Sequence, residues 1–181
     1  MIAEVADILK SYIDDLDWVD KIGGLVHPVT KGDKTFPVCL SSGDYDDLVP
    51  NSKKRSVVYF EESGGSSVSE MSSRRMRIEI PLRLVCWYNL KRLNENVSSN
   101  NLMIDIMNTL PRTFKANGNV LAASIEIEDM GTGNDIFSDY SYNEQRQFLM
   151  YPFGAFYMDI IVNAWVGIGC ADNVNINDSI C

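Results

Sequence analysis

Apolar residues recur every three or four positions in two parts of the chain, and this spacing places them on one face of a helix. The first part covers residues 2–16 and the second covers residues 102–110. Ser98 and Ser99 precede the second part and suit a helix N-cap, whereas Pro111 follows it and cannot continue a regular helix. The pattern therefore predicts one amphipathic helix near the N-terminus and a second that Pro111 kinks or ends.

The segment after the first helix predicts strands joined by tight turns. Residues 14–17 carry three aspartates, which oppose the dipole at a helix C-terminus and favour an end near Ile13. Residues 18–22 have the composition of a strand, and Gly23–Gly24 after them predicts a bend or a bulge. Residues 31–34 predict the turn of a β-hairpin.

Two predicted strands are unusually long. Residues 76–88 alternate between apolar and polar side chains up to Leu84, and residues 155–168 alternate in the same way. Each spans about 40 Å when extended, whereas a typical strand has about 5–6 residues. Pro81 lies on the polar side of the first long strand and predicts an edge position or a bulge. Both faces of residues 85–88 are apolar, so we expect this end to be covered on both sides.

The order of these elements defines the expected fold class. Helices do not alternate regularly with strands, which favours an α+β fold with an antiparallel or mixed β-sheet of long strands. Two helices are expected to pack on one face of this sheet. Residues 1–168 are predicted to form a single domain, with a flexible Gly/Ser-rich loop over residues 63–73 and a C-terminal tail over residues 169–181.

Charge is distributed unevenly over the 181 residues. The net charge is −9, which argues against a general nucleic-acid binder. Residues 1–50 hold ten acids and four bases, residues 51–115 hold six acids and eleven bases, and residues 116–181 hold nine acids and one base. Such a layout suits head-to-tail docking between copies, although one basic sheet face in a single copy explains it equally well. The sequence predicts neither a signal peptide nor a membrane-spanning segment.

The residues that carry chemistry do not form a recognisable catalytic or metal-binding pattern. His27 is the single histidine, and the four cysteines include no CxxC pair, so no zinc site is expected. Cys39 and Cys86 lie in apolar strand patterns and are expected to be buried and reduced. We predict a protein that is not an enzyme and binds no cofactor or metal.

Two basic groups flank the Gly/Ser-rich segment and are expected to lie at one end of the sheet. A protein contact is favoured over a DNA contact there, with an ordinary solvated surface as the open alternative. Tyr and Trp residues concentrate late in the chain and are enriched at interfaces in general. The interface candidates are Lys53, Lys54, Arg55, Arg74, Arg75, Arg77, Tyr157 and Trp165.

The length of the two strands supplies an argument for self-association. A core of this size is expected to leave the ends of both strands uncovered, and exposed apolar strand is an aggregation hazard unless a partner covers it. The sequence therefore predicts a homo-oligomer in which neighbouring copies cover those ends.

The order helix, hairpin, long strand, helix, strand and long closing strand resembles the tail terminator and tail-completion proteins of tailed bacteriophages. These proteins are related to tail-tube and neck ring proteins, and the similarity extends to crAss-like phages of Bacteroides. The segments that carry the resemblance are Trp18–Val19, FPV at 36–38, LRLVCWYNL at 82–90, LMIDIMNTL at 102–110 and FYMDIIVNAWV at 156–166.

The resemblance implies a structural virion protein, assembled in the host cytoplasm, with a tail-terminator-like fold. It implies a ring of six or twelve copies at the neck or at the end of the tail tube, in contact with portal, neck or tail proteins. DNA would pass through the ring without specific binding, and Glu126, Glu128 and Asp159 are candidates for an acidic lumen. The alternative is a small enzyme or a ligand-binding α+β domain.

Overall fold

A computed structural model describes residues 1–41, 44–72, 75–93, 97–115, 120–132, 136–140 and 149–167 of the chain. The helices of these stretches are α1 (Ile2–Ile13), α2 (Leu90–Leu93) and α3 (Ser99–Thr109). The strands are β1 (Ile22–Lys31), β2 (Lys34–Ser41), β3 (Asp44–Asp47), β4 (Ser56–Glu62), β5 (Ser67–Met71), β6 (Arg75–Asn89), β7 (Thr113–Phe114), β8 (Val120–Gly131) and β9 (Phe153–Gly167).

The strands form one mixed sheet in the order β3-β2-β1-β4-β6-β9-β8-β7. β5 and β4 both pair with the same edge of β6. β5 pairs with the first part of β6 and β4 pairs with its last part. The β1–β4 pair is parallel and all other pairs are antiparallel. The predicted α+β class with a mostly antiparallel sheet is therefore confirmed.

Both predicted helices pack on the same face of the sheet, as expected. α1 packs against β1, α3 packs against β9, and the two helices contact each other. Their buried residues join the inward-facing side chains of β6 and β9 in the main core. The helical residues in this core are Val5, Ala6, Leu9 and Ile13 of α1 and Leu102, Met103 and Ile106 of α3.

A second, smaller core covers part of the opposite face. It contains Val85 and Trp87 of β6 together with Val26 of β1, Cys39 of β2 and Phe137. The apolar character of both faces at 85–88 thus predicted correctly that this end of β6 is covered on both sides. The rest of the opposite face carries polar side chains from β6, β8 and β9.

Local signals set the helix boundaries closely. α1 ends at Ile13, before the aspartates that oppose its dipole. Ser98 caps α3 through a capping box with Asn101, in which each side chain bonds to the other residue's backbone N–H. The residues after Pro111 return to the sheet as β7, so Phe114 belongs to a strand.

Several strand predictions need correction. Residues 18–21 form turns and a bend rather than a strand, and β1 starts at Ile22 with an irregular register before Leu25, where the two glycines predict a bulge. The predicted loop over residues 63–73 contains β5, whose residues are all exposed. Hydrogen bonds to β6 order this segment even though its side chains bury nothing, which periodicity cannot reveal.

Pro81 lies in the middle of the sheet, so the expected edge position or bulge is wrong. β4 pairs with β6 only up to Leu82, and β5 pairs with it only from Glu79 downwards. Pro81 faces the gap between these two strands, where its carbonyl oxygen accepts a hydrogen bond from the Ser63 N–H. Because neither strand pairs with Pro81 on this side, no strand carbonyl needs the N–H that proline lacks.

The apolar face of both long strands is buried within a single chain. The inward residues of β6 from Ile78 to Cys86 and those of β9 from Phe156 to Val166 are all buried. α1, α3 and the neighbouring strands cover both strands except at Met76, which is only partly buried, so the expectation that one copy leaves their ends uncovered is wrong for all but the start of β6. No helix among the described residues is long and apolar enough to cross a membrane.

Candidate interaction surfaces

The uncovered part of the sheet carries a polar network centred on Arg83. β6 and β9 place Arg83 opposite Asp159, and the Arg83 Nε and Nη2 atoms donate to the two Asp159 carboxylate oxygens at 2.7 and 2.9 Å. The guanidinium also lies 4.5 Å from the centre of the Tyr157 ring. The Tyr157 hydroxyl in turn donates to Asp129 of β8 at 2.9 Å. These bonds link three adjacent strands across one face.

Two further pairs extend this surface towards the other end of the sheet. Arg77 lies opposite Trp165, and its Nη2 atom donates to Asn163 Oδ1 at 2.9 Å. The Arg75 guanidinium lies 5.8 Å from the centre of the Trp165 ring. Both arginines therefore pack on β9 rather than extending freely into solvent.

Residues predicted for two separate surfaces thus share one face. Tyr157 and Trp165 were interface candidates, whereas Asp159 and Glu126 were lumen candidates, yet the strand registers place all four on the same face of the sheet. Asp159 is paired with Arg83, so its charge is compensated and it adds little to an acidic surface. Glu126 and Glu128 are both exposed, and neither forms an ion pair among the described residues.

The two basic groups lie at opposite ends of the sheet, which corrects the expectation of a single cluster. Ser56, next to Arg55, pairs with Tyr88 at the far end of β6, whereas Arg75 and Arg77 begin that strand. Arg77 and Tyr88 are eleven positions apart along the extended strand, a distance of about 35 Å. Arg74 lies outside the described residues.

Arg55 has a structural role within the chain. Its backbone N–H and its Nε atom donate to the two carboxylate oxygens of Asp20 at 2.6 and 2.8 Å. Burial opposes ionisation of Asp20, but these hydrogen bonds and the nearby positive charge outweigh it, so the pKa of Asp20 is lowered. This interaction ties the residues before β1 to the start of β4.

Glu61 of β4 is the carboxylate with the opposite behaviour. Burial raises its pKa and neighbouring Asp139 raises it further, whereas the hydrogen bond that it accepts from the Tyr140 hydroxyl and the positive charge of Arg83 act against this. The net pKa of Glu61 is raised, so folding favours its neutral form relative to the unfolded chain.

We expect the Glu61→Gln variant to be more stable than the wild type near neutral pH. A raised folded pKa means that stability falls as pH rises from the ordinary value of 4.5 towards the folded pKa, because the native state binds the proton more tightly. Gln keeps an acceptor for Tyr140 without the buried charge. Thermal unfolding should show a midpoint about 2 °C higher, as expected for a gain of less than about 1 kcal/mol in a domain of this size. An equal or lower midpoint from pH 6 to 8 would contradict the assignment.

A basic cleft lies where β6 ends and α2 begins, and sequence reasoning missed it. The cleft has a volume of about 520 Å³ and is lined by Ser52, Asn89, Lys91, Arg92, Pro152 and Phe153. The Ser52 carbonyl oxygen accepts from Asn89 Nδ2 at 3.2 Å and from Arg92 Nε at 2.8 Å, which joins the segment before β4 to α2. Asn89 is 4% exposed, and its Oδ1 atom has no hydrogen-bond partner among the described residues.

The exposed edge of β5 is the clearest apolar surface among the described strands. Within the described part of the chain β5 pairs only with β6, and Val68 and Met71 are 57% and 74% exposed. Both lie opposite residues of the main-core face, Ile78 and Met76, so they extend that apolar face beyond the helices that cover it.

The remaining candidate chemistry is dispersed. Cys39 and Cys86 are buried, as predicted, and burial raises the pKa of Cys86 well above its usual range. His27 is exposed on β1. Among the described residues, no group of three or more His, Cys, Asp or Glu side chains is placed to hold a metal ion.

No protein-family model matches the chain, and no curated protein matches it.

Proposed function

We propose that this protein is a structural subunit that assembles with copies of itself into a ring of a phage tail or neck. The observation that carries the proposal is the open edge of β5, where two apolar side chains continue the core face of the sheet into solvent. Unpaired strand edges with exposed apolar residues are surfaces that bind a partner strand or aggregate. The ring and its place in the virion are supported by the resemblance to tail terminator and neck proteins.

The same proposal includes passage of DNA through the ring. An acidic lumen would repel the phosphate backbone and prevent binding. Because Asp159 is paired with Arg83, such a lumen would need other carboxylates than this one. The open face also carries Arg77 and Arg83, so its charge is mixed rather than uniformly acidic.

We expect the double variant Val68→Ser/Met71→Ser to lose self-association while remaining folded. Both side chains lie outside the core, so their removal should change the free energy of unfolding by less than about 1 kcal/mol. Light scattering after size exclusion should show at least about a tenfold weaker association than the wild type, because two apolar contacts are lost at the interface.

Met150→Ser is the matched control for this experiment. Met150 is 66% exposed but precedes β9 instead of lying on the β5 edge. It should associate like the wild type. A double variant that associates as strongly as the wild type would rule out β5 as the contact.

The basic cleft favours a second candidate, a ligand-binding domain. Its volume falls within the usual range for small-molecule sites, about 300–1,000 Å³. A wild-type protein that remains monomeric at all concentrations and binds small anions would support this function instead of assembly.

A further inference from the structure

The cleft beside α2 carries positive charge that the rest of the described chain does not neutralise. The four ion pairs among the described residues join Lys21 to Asp46, Lys31 to Asp47, Arg55 to Asp20 and Arg83 to Asp159. Lys91 and Arg92 are exposed and take part in none of them. Their cationic groups are therefore available to an acidic partner.

The lining of the cleft also suits an extended backbone. Asn89 lines the cleft, and its Oδ1 atom is a buried acceptor without a partner among the described residues, so a docked N–H group would supply the missing hydrogen bond once the side chain turns towards it. Phe153, which stacks on Trp87 with ring centres 5.4 Å apart, and Pro152 add apolar surface beside the two cations. A peptide segment with carboxylates and free N–H groups matches these features together.

β8 provides such a segment in every copy. It pairs with β9 along its length, but on its other side β7 covers only Ala123 and Ser124. The backbone edge from Glu126 onwards is therefore unpaired among the described strands. Glu126 and Glu128 are exposed there and have no ion-pair partner among the described residues.

We propose that the basic cleft of one copy binds the acidic edge of β8, around Glu126 and Glu128, of a second copy. This inference rests on the proposed function, because it names a contact of the same self-assembly. It assigns both glutamates to a subunit contact instead of the ring lumen that the resemblance implies. The two complementary charged sets lie on one chain, so each copy carries both halves of the contact.

Charge reversal of each half tests the contact. Lys91→Glu/Arg92→Glu and Glu126→Lys/Glu128→Lys should each weaken self-association by about tenfold or more. A mixture of the two variants should associate about as strongly as the wild type, because every reversed cleft then meets a reversed edge. Lys91→Glu alone should show a smaller loss and leaves the Arg92 bond to Ser52 intact, which guards against misfolding. Lys34→Glu, at the start of β2 and away from both charged sets, is the control and should change nothing.

The outcomes separate this contact from the general proposal. If the wild type associates, the Val68/Met71 variant does not, and both charge-reversed variants associate normally, the cleft contact is wrong and assembly through β5 stands. If the mixture of variants fails to recover association, the two charged sets do not meet and the contact is also wrong. Binding of a labelled single-stranded oligonucleotide that Lys91→Glu/Arg92→Glu abolishes would overturn it in favour of a nucleic-acid site. A wild type that is always monomeric would overturn both proposals.

Discussion

We expect the Phe156→Ala variant to lose about 3–5 kcal/mol of unfolding free energy, the range for deletion of a fully buried phenylalanine. Phe156 is fully buried in β9, and its ring centre lies 6.2 Å from that of Tyr88. Truncation would leave a cavity between the sheet and the helices, and the close-packed strands on either side limit how far the core can collapse. Chemical denaturation monitored by circular dichroism measures the loss directly.

The control for this prediction lies in the same part of the chain. Met150→Ala removes an apolar side chain that is 66% exposed, so it should change stability by no more than about 0.5 kcal/mol. If Phe156→Ala lost less than about 1 kcal/mol, the inward face of β9 would not be the closed core described here. The expectation that neighbouring copies must cover the strand would then regain its basis.

The strands and helices that could be predicted from sequence are those whose signal is local. The period-2 pattern of β6 and the change to apolar residues on both faces at 85–88 depend only on which faces are buried. The capping box of α3 lies within four residues, from Ser98 to Asn101. Such features need no knowledge of distant partners, and they are the ones that the structure confirms.

The pairing between distant strands could not be predicted in the same way. Arg83 and Asp159 are separated by 76 residues, and only the register of β6 with β9 places them opposite each other. Pro81 was predicted to lie at an edge or a bulge. The middle of the sheet accommodates it because β4 ends and β5 begins beside it, and these strand ends are not visible in the sequence. The sequence shows the type of each residue at these sites but does not contain the register that brings them together.

The candidate sites were predicted only in part for the same reason. Tyr157, Trp165 and Glu126 were selected as residue types enriched at interfaces or carrying charge, and the antiparallel registers place them on one face. Lys91 and Arg92 give no signal of a site in the sequence, since two adjacent bases are common on protein surfaces. Their position beside Ser52 and Asn89 appears only after the segment before β4 folds against α2.

We expect the Asp20→Asn variant to lose about 1–2 kcal/mol of unfolding free energy at pH 7. Hydrogen bonds to a charged group contribute about 1.5–3 kcal/mol, and solvent around the partly exposed Arg55 side chain reduces this contribution. The Asp20 carboxylate accepts hydrogen bonds from both the backbone and the side chain of Arg55. The Asp20 backbone N–H donates to the Ser56 hydroxyl oxygen at 3.2 Å. Asn at this position can replace only part of the interaction and carries no charge.

The pH dependence gives this prediction its sign. The pKa of Asp20 is lowered in the folded state, so its contribution is complete above the ordinary value of 3.8 and is lost as pH falls through the folded pKa. The difference between wild type and Asp20→Asn should therefore be constant near neutral pH and shrink in acid. Asp17→Asn, at an exposed aspartate three residues earlier, should show neither the loss nor the pH dependence. A difference that does not shrink in acid would mean that Asp20 acts through packing and not through its charge on Arg55.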